Sequence, residues 1–447
     1  MNNATRSSDG KIIVCIDIGT SKVVTLIAKV NEYINVLGVS EVKSQGVRKG
    51  QIVDIEDAVS AINASLEAAE RMAGFSASRV IVSIGGGHIE SLNSKGVVAV
   101  SSADGEINAT DLIRVIDAAK AVSLSSTREV IHVLPRNYTV DGQEGIRDPI
   151  GMTGVRLEVD THIITANTTS VKNLEKALSE VGVDVESIVF SGYGSSMSVL
   201  SDTEKELGVV LVDIGAGTTD ISVYVEGSVA YSCVLPIGAR HITNDLAIGL
   251  RISLESAEKI KLFLSNATAR RQLNPEEVSG LHEAGNEKAV EAMASKTDEV
   301  DLSFLGLPEE VRKVSKKTLV DGIIRPRLNE IFTMVGLEVK KSGYAGQTPA
   351  GLVICGGGAK TVGIQDAAKR TLAMPVRVGY PQKIKGIIDE IQDPAFGAVV
   401  GLAMYGEKSE SSPVGAPFGF SLPGLPKNMK MGNLPSKILS FIKSFIP

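Results

Sequence analysis

The sequence predicts an α/β protein made of two similar halves, with a smaller αβ unit set into the first. Three observations predict it. A strand, turn, strand segment occurs twice: Val14-Cys15-Ile16-Asp17-Ile18-Gly19-Thr20-Ser21-Lys22 and Leu211-Val212-Asp213-Ile214-Gly215-Ala216-Gly217-Thr218-Thr219-Asp220 share an apolar run ending in Asp, a Gly/Thr/Ser turn and a β-rich continuation. Between Gly85 and Asp160 a stretch with its own strand and helix pattern interrupts the first half. The chain has 447 residues, 43% of them hydrophobic and 45 of them glycine, enough for about three domains of ordinary soluble composition.

In chain order, strands over 23–30 and 34–39 follow the first turn, and apolar residues at helical spacing predict a helix over 55–73. The interrupting unit reads as strand 96–100, helix 110–122 and strands 129–140 and 155–159. After the second turn come strands 221–225 and 229–235 and a helical stretch over 242–264. A third glycine turn, Leu352-Val353-Ile354-Cys355-Gly356-Gly357-Gly358-Ala359-Lys360, follows an apolar strand and precedes a helix over 362–372. The expected organisation is a first half of 11–84 and 161–206, an insert of 85–160, a second half of 207–237 and 316–406, and a subdomain of 238–315. Pro413, Pro417, Pro423 and Pro426 make 407–433 a flexible linker, and 434–447 is a terminal helix. The stretch 272–315 is strongly acidic with weak periodicity.

The paired turns carry the chemistry. A Gly/Thr/Ser turn lets backbone N–H groups converge and makes a concavity for phosphate oxygens. Gly19, Thr20, Ser21 and Lys22 would line one side, and Gly215, Ala216, Gly217, Thr218 and Thr219 the other. Asp17 and Asp213, at the mouths, suit Mg²⁺, which takes one or two carboxylates together with substrate phosphates. Gly356, Gly357 and Gly358 would let a nucleoside approach the backbone. That turn is neither a P-loop nor a dinucleotide fingerprint. A fourth cluster, Gly85-Gly86-Gly87, has no matching carboxylate and reads as a connection.

Several classes are excluded. A net charge of −6, 46 Lys plus Arg against 52 Asp plus Glu and no Trp give neither a basic footprint nor stacking platforms for nucleic acid. Cys15, Cys233 and Cys355 are far apart in apolar runs and read as buried thiols of a reducing compartment. His88, His132, His162, His241 and His282 lack metal spacing, and Gly192-Tyr193-Gly194-Ser195-Ser196 is no nucleophile elbow. No apolar run reaches the ~18 residues of a spanning helix, and the polar first residues are no export signal.

The order of the two D-I-G turns and the C-G-G-G-A turn resembles the actin, sugar-kinase and Hsp70 superfamily. Glu206 to Gly215, Gln143 to Gly151 and Ser195 to Leu200 narrow the resemblance to the FtsA family of bacterial division proteins. The resemblance implies two ribonuclease-H-like halves (1A and 2A) clamping ATP, the insert as subdomain 1C, a contact with other division proteins, and 238–315 as subdomain 2B. It implies filaments of the chain with itself and a tether of FtsZ filaments to the cytoplasmic face of the inner membrane. Glu258 and Lys261 fit either a solvated salt bridge or, by the resemblance, an approach to the adenosine. Arg327 and Glu330, on the helix matching the family's docking site for the FtsZ C-terminal peptide, fit either that contact or an intrahelical salt bridge. The alternative on the same fold is a small-molecule kinase, which needs a carboxylate base. The stretch 189–196 before the second turn has none, so at most slow hydrolysis is expected.

In the tail, Leu434, Ile438, Leu439, Phe441, Ile442, Phe445 and Ile446 follow helical spacing, with Lys437 and Lys443 on the other side. A helix this short is marginal in water. With no acid after Glu410, it fits an anionic membrane surface, as the family's terminal targeting helix does.

Overall fold

Each half opens on an antiparallel hairpin whose turn is closed the same way: Gly19 N–H donates to Lys22 O at 2.9 Å, and Gly215 N–H donates to Thr218 O at 2.9 Å. The structure, a computed structural model, describes residues 10–31, 33–272, 298–309, 312–386 and 391–410. Most of the expected linker, the whole terminal helix 434–447 and residues 273–297 of the acidic stretch lie outside the described residues.

The first half runs β1 (Lys11–Ile18), β2 (Lys22–Val30), β3 (Ile34–Lys43), a small hairpin of β4 (Val47–Arg48) and β5 (Gln51–Ile52), α1 (Ile55–Ala73) and β6 (Arg79–Ile84). The insert adds β7 (Glu90–Ala99), α2 (Ala109–Lys120), β8 (Arg128–Val140), β9 (Gln143–Ile146) and β10 (Arg156–Asn167), after which come α3 (Thr168–Val181), β11 (Asp184–Phe190), α4 (Ser191–Val199) and α5 (Asp202–Leu207). The second half runs β12 (Val209–Ile214), β13 (Thr219–Val225), β14 (Ser228–Leu235), α6 (Arg240–Leu250), α7 (Leu254–Gln272), β15 (Glu299–Asp301) and β16 (Lys313–Ser315). It continues with a π-helical segment Thr318–Ile324, helix Arg325–Lys341, β17 (Leu352–Cys355), helix Ile364–Leu372, β18 (Val376–Val378), β19 (Ile384–Gly386) and helix Gly397–Glu410.

The two large sheets share one plan. In the first, β3, β2 and β1 are antiparallel and β6 and β11 continue parallel to β1; in the second, β14, β13 and β12 are antiparallel and β17 and β18 continue parallel to β12. Their central strands are apolar on both faces because helices cover both sides. On one face of the first sheet, Ile16, Ile27 and Val82 pack with Ile62 of α1 and Leu178 of α3. On the other face, Cys15, Leu26 and Ile81 meet Val400, Leu402 and Ala403. Each fully buried aliphatic side chain is worth about 1.5–3 kcal/mol. The insert has its own core around Leu112, Val115, Ile116, Leu157 and Ile163.

Local signals set the helices. Asp54 caps α1 by accepting from Asp57 N–H, and Gly74 ends it at φ 63°. The expected helical stretch 242–264 is two helices. Arg251 adopts φ 57°, and the Ser253 hydroxyl accepts from Ser256 N–H at 3.2 Å to start α7.

The end of the chain corrects the expected second half, 316–406. Strand β19 pairs parallel with β3, and helix Gly397–Glu410 packs on the first-half sheet and α4. That helix runs to Glu410, past the expected linker start at 407. The expected insert boundary at 160 falls inside β10.

Helix Gly397–Glu410 approaches α4 closely because Gly194 and Gly401 face one another: a Cβ on Gly401 would stand 1.8 Å from Gly194 O. Gly401→Ala should therefore cost about 1–3 kcal/mol, read as a lower denaturant midpoint; an unchanged midpoint would refute this packing. A second test concerns α5 and β18. Burial opposes charge on Glu204, but hydrogen bonds from Arg377 and Ser201 outweigh it and hold the carboxyl down at about 2. The stabilisation is present above the ordinary carboxylate range and fades as pH falls toward 2. Glu204→Gln should lower the melting temperature at pH 7, and the deficit should shrink on acidification.

Candidate functional site

The repeated hairpins face each other across one cleft. Its lining takes Asp17, Ile18, Gly19, Thr20, Ser21 and Lys22 from the first half, with Asp213, Gly215, Ala216 and Thr218 opposite; Gly356 and Gly357 reach it from the third turn. Gly217, Thr219 and Gly358 stand behind this wall. The Thr219 hydroxyl donates to Ile237 O at 2.8 Å, and Gly217 packs on Thr20, whose Oγ1 would lie 2.8 Å from a Cβ there. The turn Gly356–Gly358 is built on glycine for a stated reason. A Cβ on Gly356, at φ 81°, would fall 2.2 Å from Asp213 Oδ1, and one on Gly358 2.4 Å from Ile214 Cγ2. At Gly357 the nearest atom is Ala395 Cβ at 4.0 Å, so that position opens on space.

The electrostatics are those of crowded carboxylates. Ser83 Oγ donates to Asp17 Oδ1 at 2.6 Å, and Ser195 Oγ donates to Asp213 Oδ2. Burial pushes Asp213 up; Ser195 opposes this, Asp17 adds repulsion, and the carboxyl stands at about 6. Asp17 is also raised by burial, against the pull of Ser83 and Lys22.

Asp220 is the site residue the sequence reading missed. It is buried, lines the cleft, and stands directly across the β12–β13 ladder from Asp213. Its Oδ1 has no hydrogen-bond partner, and burial, with Asp213 and Asp17 nearby, drives its carboxyl far up. At the same register the first hairpin pairs Asp17 with Val24. The signal was in the sequence as the last residue of the quoted repeat, where the two copies differ. Gly85 was also misread as a connection: it lines the cleft, and a Cβ on it would stand 3.6 Å from Asp220 Oδ2.

Among the described residues no three His, Cys, Asp or Glu side chains form a ready metal cage. The donor set instead fits a hard cation shared with a phosphate: two or three carboxylates, one orphaned and buried, beside turns rich in N–H groups and hydroxyls. The space enclosed is ≈ 100 Å³, below the roughly 300–1,000 Å³ of small-molecule sites. That size suits phosphates and a cation.

The remaining candidates lie elsewhere. Glu258 and Lys261 are not among the residues lining this space, although α7, which carries them, contacts the turn Gly357–Lys360; Lys261 Nζ stands 2.7 Å from Glu258 Oε2 and donates to Thr243 Oγ1 at 2.9 Å. Arg327 pairs with Glu330 and, unforeseen from sequence, forks onto Asp245 of α6, with Nε to Oδ2 at 2.6 Å and Nη2 to Oδ1 at 2.8 Å. These side chains, with Ile248, Ile323 and Pro326, line a groove of ≈ 340 Å³. The membrane residues Leu434 to Ile446 lie outside the described residues. No described helix is long and apolar enough to cross a membrane.

Comparison with known proteins is consistent along the chain. A family model described as the SHS2 domain inserted in FTSA matches residues 86–165, and one described as Cell division protein FtsA matches residues 210–401. The Cell division protein FtsA of Pseudomonas aeruginosa is 39% identical over 404 residues, covering 90% of this chain and 91% of the relative. That of Escherichia coli K12 is 32% identical over 413 residues, covering 90% and 92%. A solved structure of the PilM-PilN type IV pilus biogenesis complex is similar in fold, with a TM-score of 0.59 at 14% identity, covering 88% of this chain and 98% of its own.

The open position at Gly357 makes a clean probe. Gly357→Glu should fold with an unchanged melting temperature while binding of Mg-ATP, measured by calorimetry, falls at least tenfold. Gly356→Ala should destabilise the fold itself. Unchanged ATP affinity in Gly357→Glu would remove this turn from the site.

Proposed function

We propose a function from one premise: the chain belongs to the FtsA family of cell-division proteins. It is an actin-like division protein, with the insert in its first half. We infer that it binds ATP with Mg²⁺ between the halves, assembles into filaments, and tethers FtsZ filaments and other division proteins to the cytoplasmic face of the inner membrane. The observation that carries this reading is the convergence of Asp17, Asp213 and Asp220 with two identically closed turns on one cleft. Asp17 and Asp213 would hold the cation, and the N–H groups of Gly19 to Lys22 and Gly215 to Thr218 would hold the phosphates. Bound Mg²⁺ supplies charge neutralisation between carboxylates and phosphate oxygens. The chain's own part is to orient the phosphates and to shift between arrangements of the two halves with the nucleotide. Helix α4 brings Ser191 to the cleft and no carboxylate, which supports slow turnover over a metabolic kinase.

For the FtsZ C-terminal peptide we propose the groove between α6 and helix Arg325–Lys341. Ile248 is 77% exposed on its rim, an apolar anchor beside charged groups of both signs. The Asp245 fork makes Arg327 a strut of this subdomain, so reversing its charge would disturb the fold as well as the groove. Ile248 is the better probe. For the membrane contact we propose residues 434–447, whose single short helix holds weakly and whose many copies in a filament hold firmly.

Sedimentation of the full chain with anionic vesicles tests the tether. The chain should pellet with vesicles and carry a labelled FtsZ tail peptide with it. Removal of 434–447 should leave it in the supernatant with nucleotide binding intact; equal pelleting of both forms would overturn the tether. Ile248→Asp should weaken the peptide about tenfold or more at unchanged melting temperature, and unchanged affinity would exclude this groove.

A further inference from the structure

Three lysines from distant parts of the chain meet around α4, on the side where the last described helix ends. In helix Gly397–Glu410, Tyr405 packs edge-on to Tyr193 of α4 with ring centres 6.4 Å apart, and Lys408 follows one turn later, at i, i+3. Lys205 of α5 reaches the same place: its Nζ lies 5.8 Å from the centre of the Tyr224 ring, and Tyr224 Oη shares a hydrogen bond with Ser196 of α4. Lys383 is anchored beside them, because Gln382 N–H donates to Ser198 O of α4 at 3.0 Å. Lys383 is exposed and adopts φ 60°, a strained backbone of the kind that collects at functional positions.

The charge at this corner is poorly balanced. Glu204 and Glu206, which flank Lys205, are engaged by Arg377 and Arg147. Burial first, and then Lys408 and Lys383, press the Lys205 ammonium down to about 8, against the pull of Asp202 and Glu204. An incoming anion relieves that repulsion. Two exposed tyrosines border the lysines. Tyr380, 54% exposed, lies three residues before Lys383, and Tyr33, 45% exposed, precedes Ile34, whose N–H donates to Lys383 O at 3.2 Å. Lys385 Nζ stands 3.4 Å from the centre of the Tyr33 ring. Lysine beside exposed tyrosine suits the head-group layer of a bilayer better than it suits an acidic peptide.

The course of the chain points the same way. Glu410 lies two residues past Lys408, and residues 411–433 connect it to the 434–447 stretch. A flexible linker of that length spans about 25–30 Å on average, so a membrane-bound tail keeps this corner near the lipid. We propose that Lys205, Lys383 and Lys408 form a second membrane contact, one that takes the phosphate head groups of anionic lipid and sets which side of the body faces the bilayer. The proposal rests on the reading of 434–447 as the tether and gives the lysines a separate part: the tail supplies the apolar hold, and the corner supplies charge and orientation.

Sedimentation of the full chain with two kinds of vesicle tests it, phosphatidylcholine alone and phosphatidylcholine mixed with phosphatidylglycerol. Lys383→Asn, which tolerates the positive φ, combined with Lys408→Gln should weaken binding to the mixed vesicles about tenfold and to the neutral ones less than about twofold. Melting temperature and Mg-ATP affinity should not change, and Lys408→Arg should bind as the wild type does. Lysine acetylation followed by mass spectrometry reads the unaltered chain: the mixed vesicles should protect Lys205 and Lys383, and inorganic phosphate or poly-glutamate should not. Equal affinity of the double variant and the wild type for mixed vesicles, or equal protection by phosphate or poly-glutamate, would overturn the proposal, while release of the chain lacking 434–447 would leave the tether standing. Pelleting that survives removal of 434–447 would instead overturn the tether and this proposal together.

Discussion

The burial of three carboxylates in one cleft is the constraint on which this structure turns. Burial raises Asp17, Asp213 and Asp220 alike, and repulsion adds to it at two of them: Asp17 acts on Asp213, and Asp213 and Asp17 act on Asp220. Ser83 and Ser195 each relieve one of them, and Lys22, the lysine within the turn, is already engaged by Glu41. Protein groups alone leave Asp220 Oδ1 without a partner. A buried acceptor without a donor costs about 1–3 kcal/mol, and the proposed cation, bound with phosphates, would offset it. The same charges that make the cleft unfavourable by itself would favour a ligand that brings its own counter-charge.

The fold delivers those charges by duplication with one broken symmetry. Both sheets place three antiparallel strands before two parallel ones, so each β1-type strand ends at the cleft with an Asp two residues before a glycine. The ladder then puts Val24 opposite Asp17 and Asp220 opposite Asp213. The second half therefore contributes two carboxylates where the first contributes one. In return the first half supplies a cation to the cleft, Lys22 in its turn.

What was legible in the sequence follows from range. Helix α1 was read to its ends because its cap, its glycine stop and its apolar stripe are local; so were the three turns, whose glycines mark positions where backbone must come close. Partners from distant elements left no local mark. Arg327 and Glu330 show their spacing in sequence, but the Asp245 carboxylate comes from another helix, and its fork onto Arg327 needs the tertiary fold. Strand β19 reads as part of the second half until the sheet shows it beside β3. Gly85 reads as a linker because the carboxylate near it, Asp220, belongs to the other half. The break at Arg251 was the exception: Ser253 and Ser256 carried a cap signal that apolar periodicity overrode.

The halves are also tied outside the cleft, and the tie limits how they can move. The insert leans on β14: Ser91 Oγ donates to Ser232 O at 2.7 Å, and Asn93 Nδ2 donates to Ala230 O at 3.1 Å. His162, buried between them, has Nδ1 2.7 Å from Asn93 Oδ1 and Nε2 3.1 Å from Ser232 Oγ. Burial pushes its imidazole down to about 3, so it stays neutral; a neutral ring then donates from Nδ1 and accepts at Nε2. Pulling β14 from the insert would strip Nε2 of Ser232 and Asn93 Nδ2 of Ala230, leaving buried polar groups without partners. Opening the cleft by translation would break this seam as well as the contact of Gly217 with Thr20. A rotation that keeps β14 on the insert breaks only the second. The seam thus favours a hinge at the insert, and it places the surface of the insert on the same lever as the two turns of the cleft.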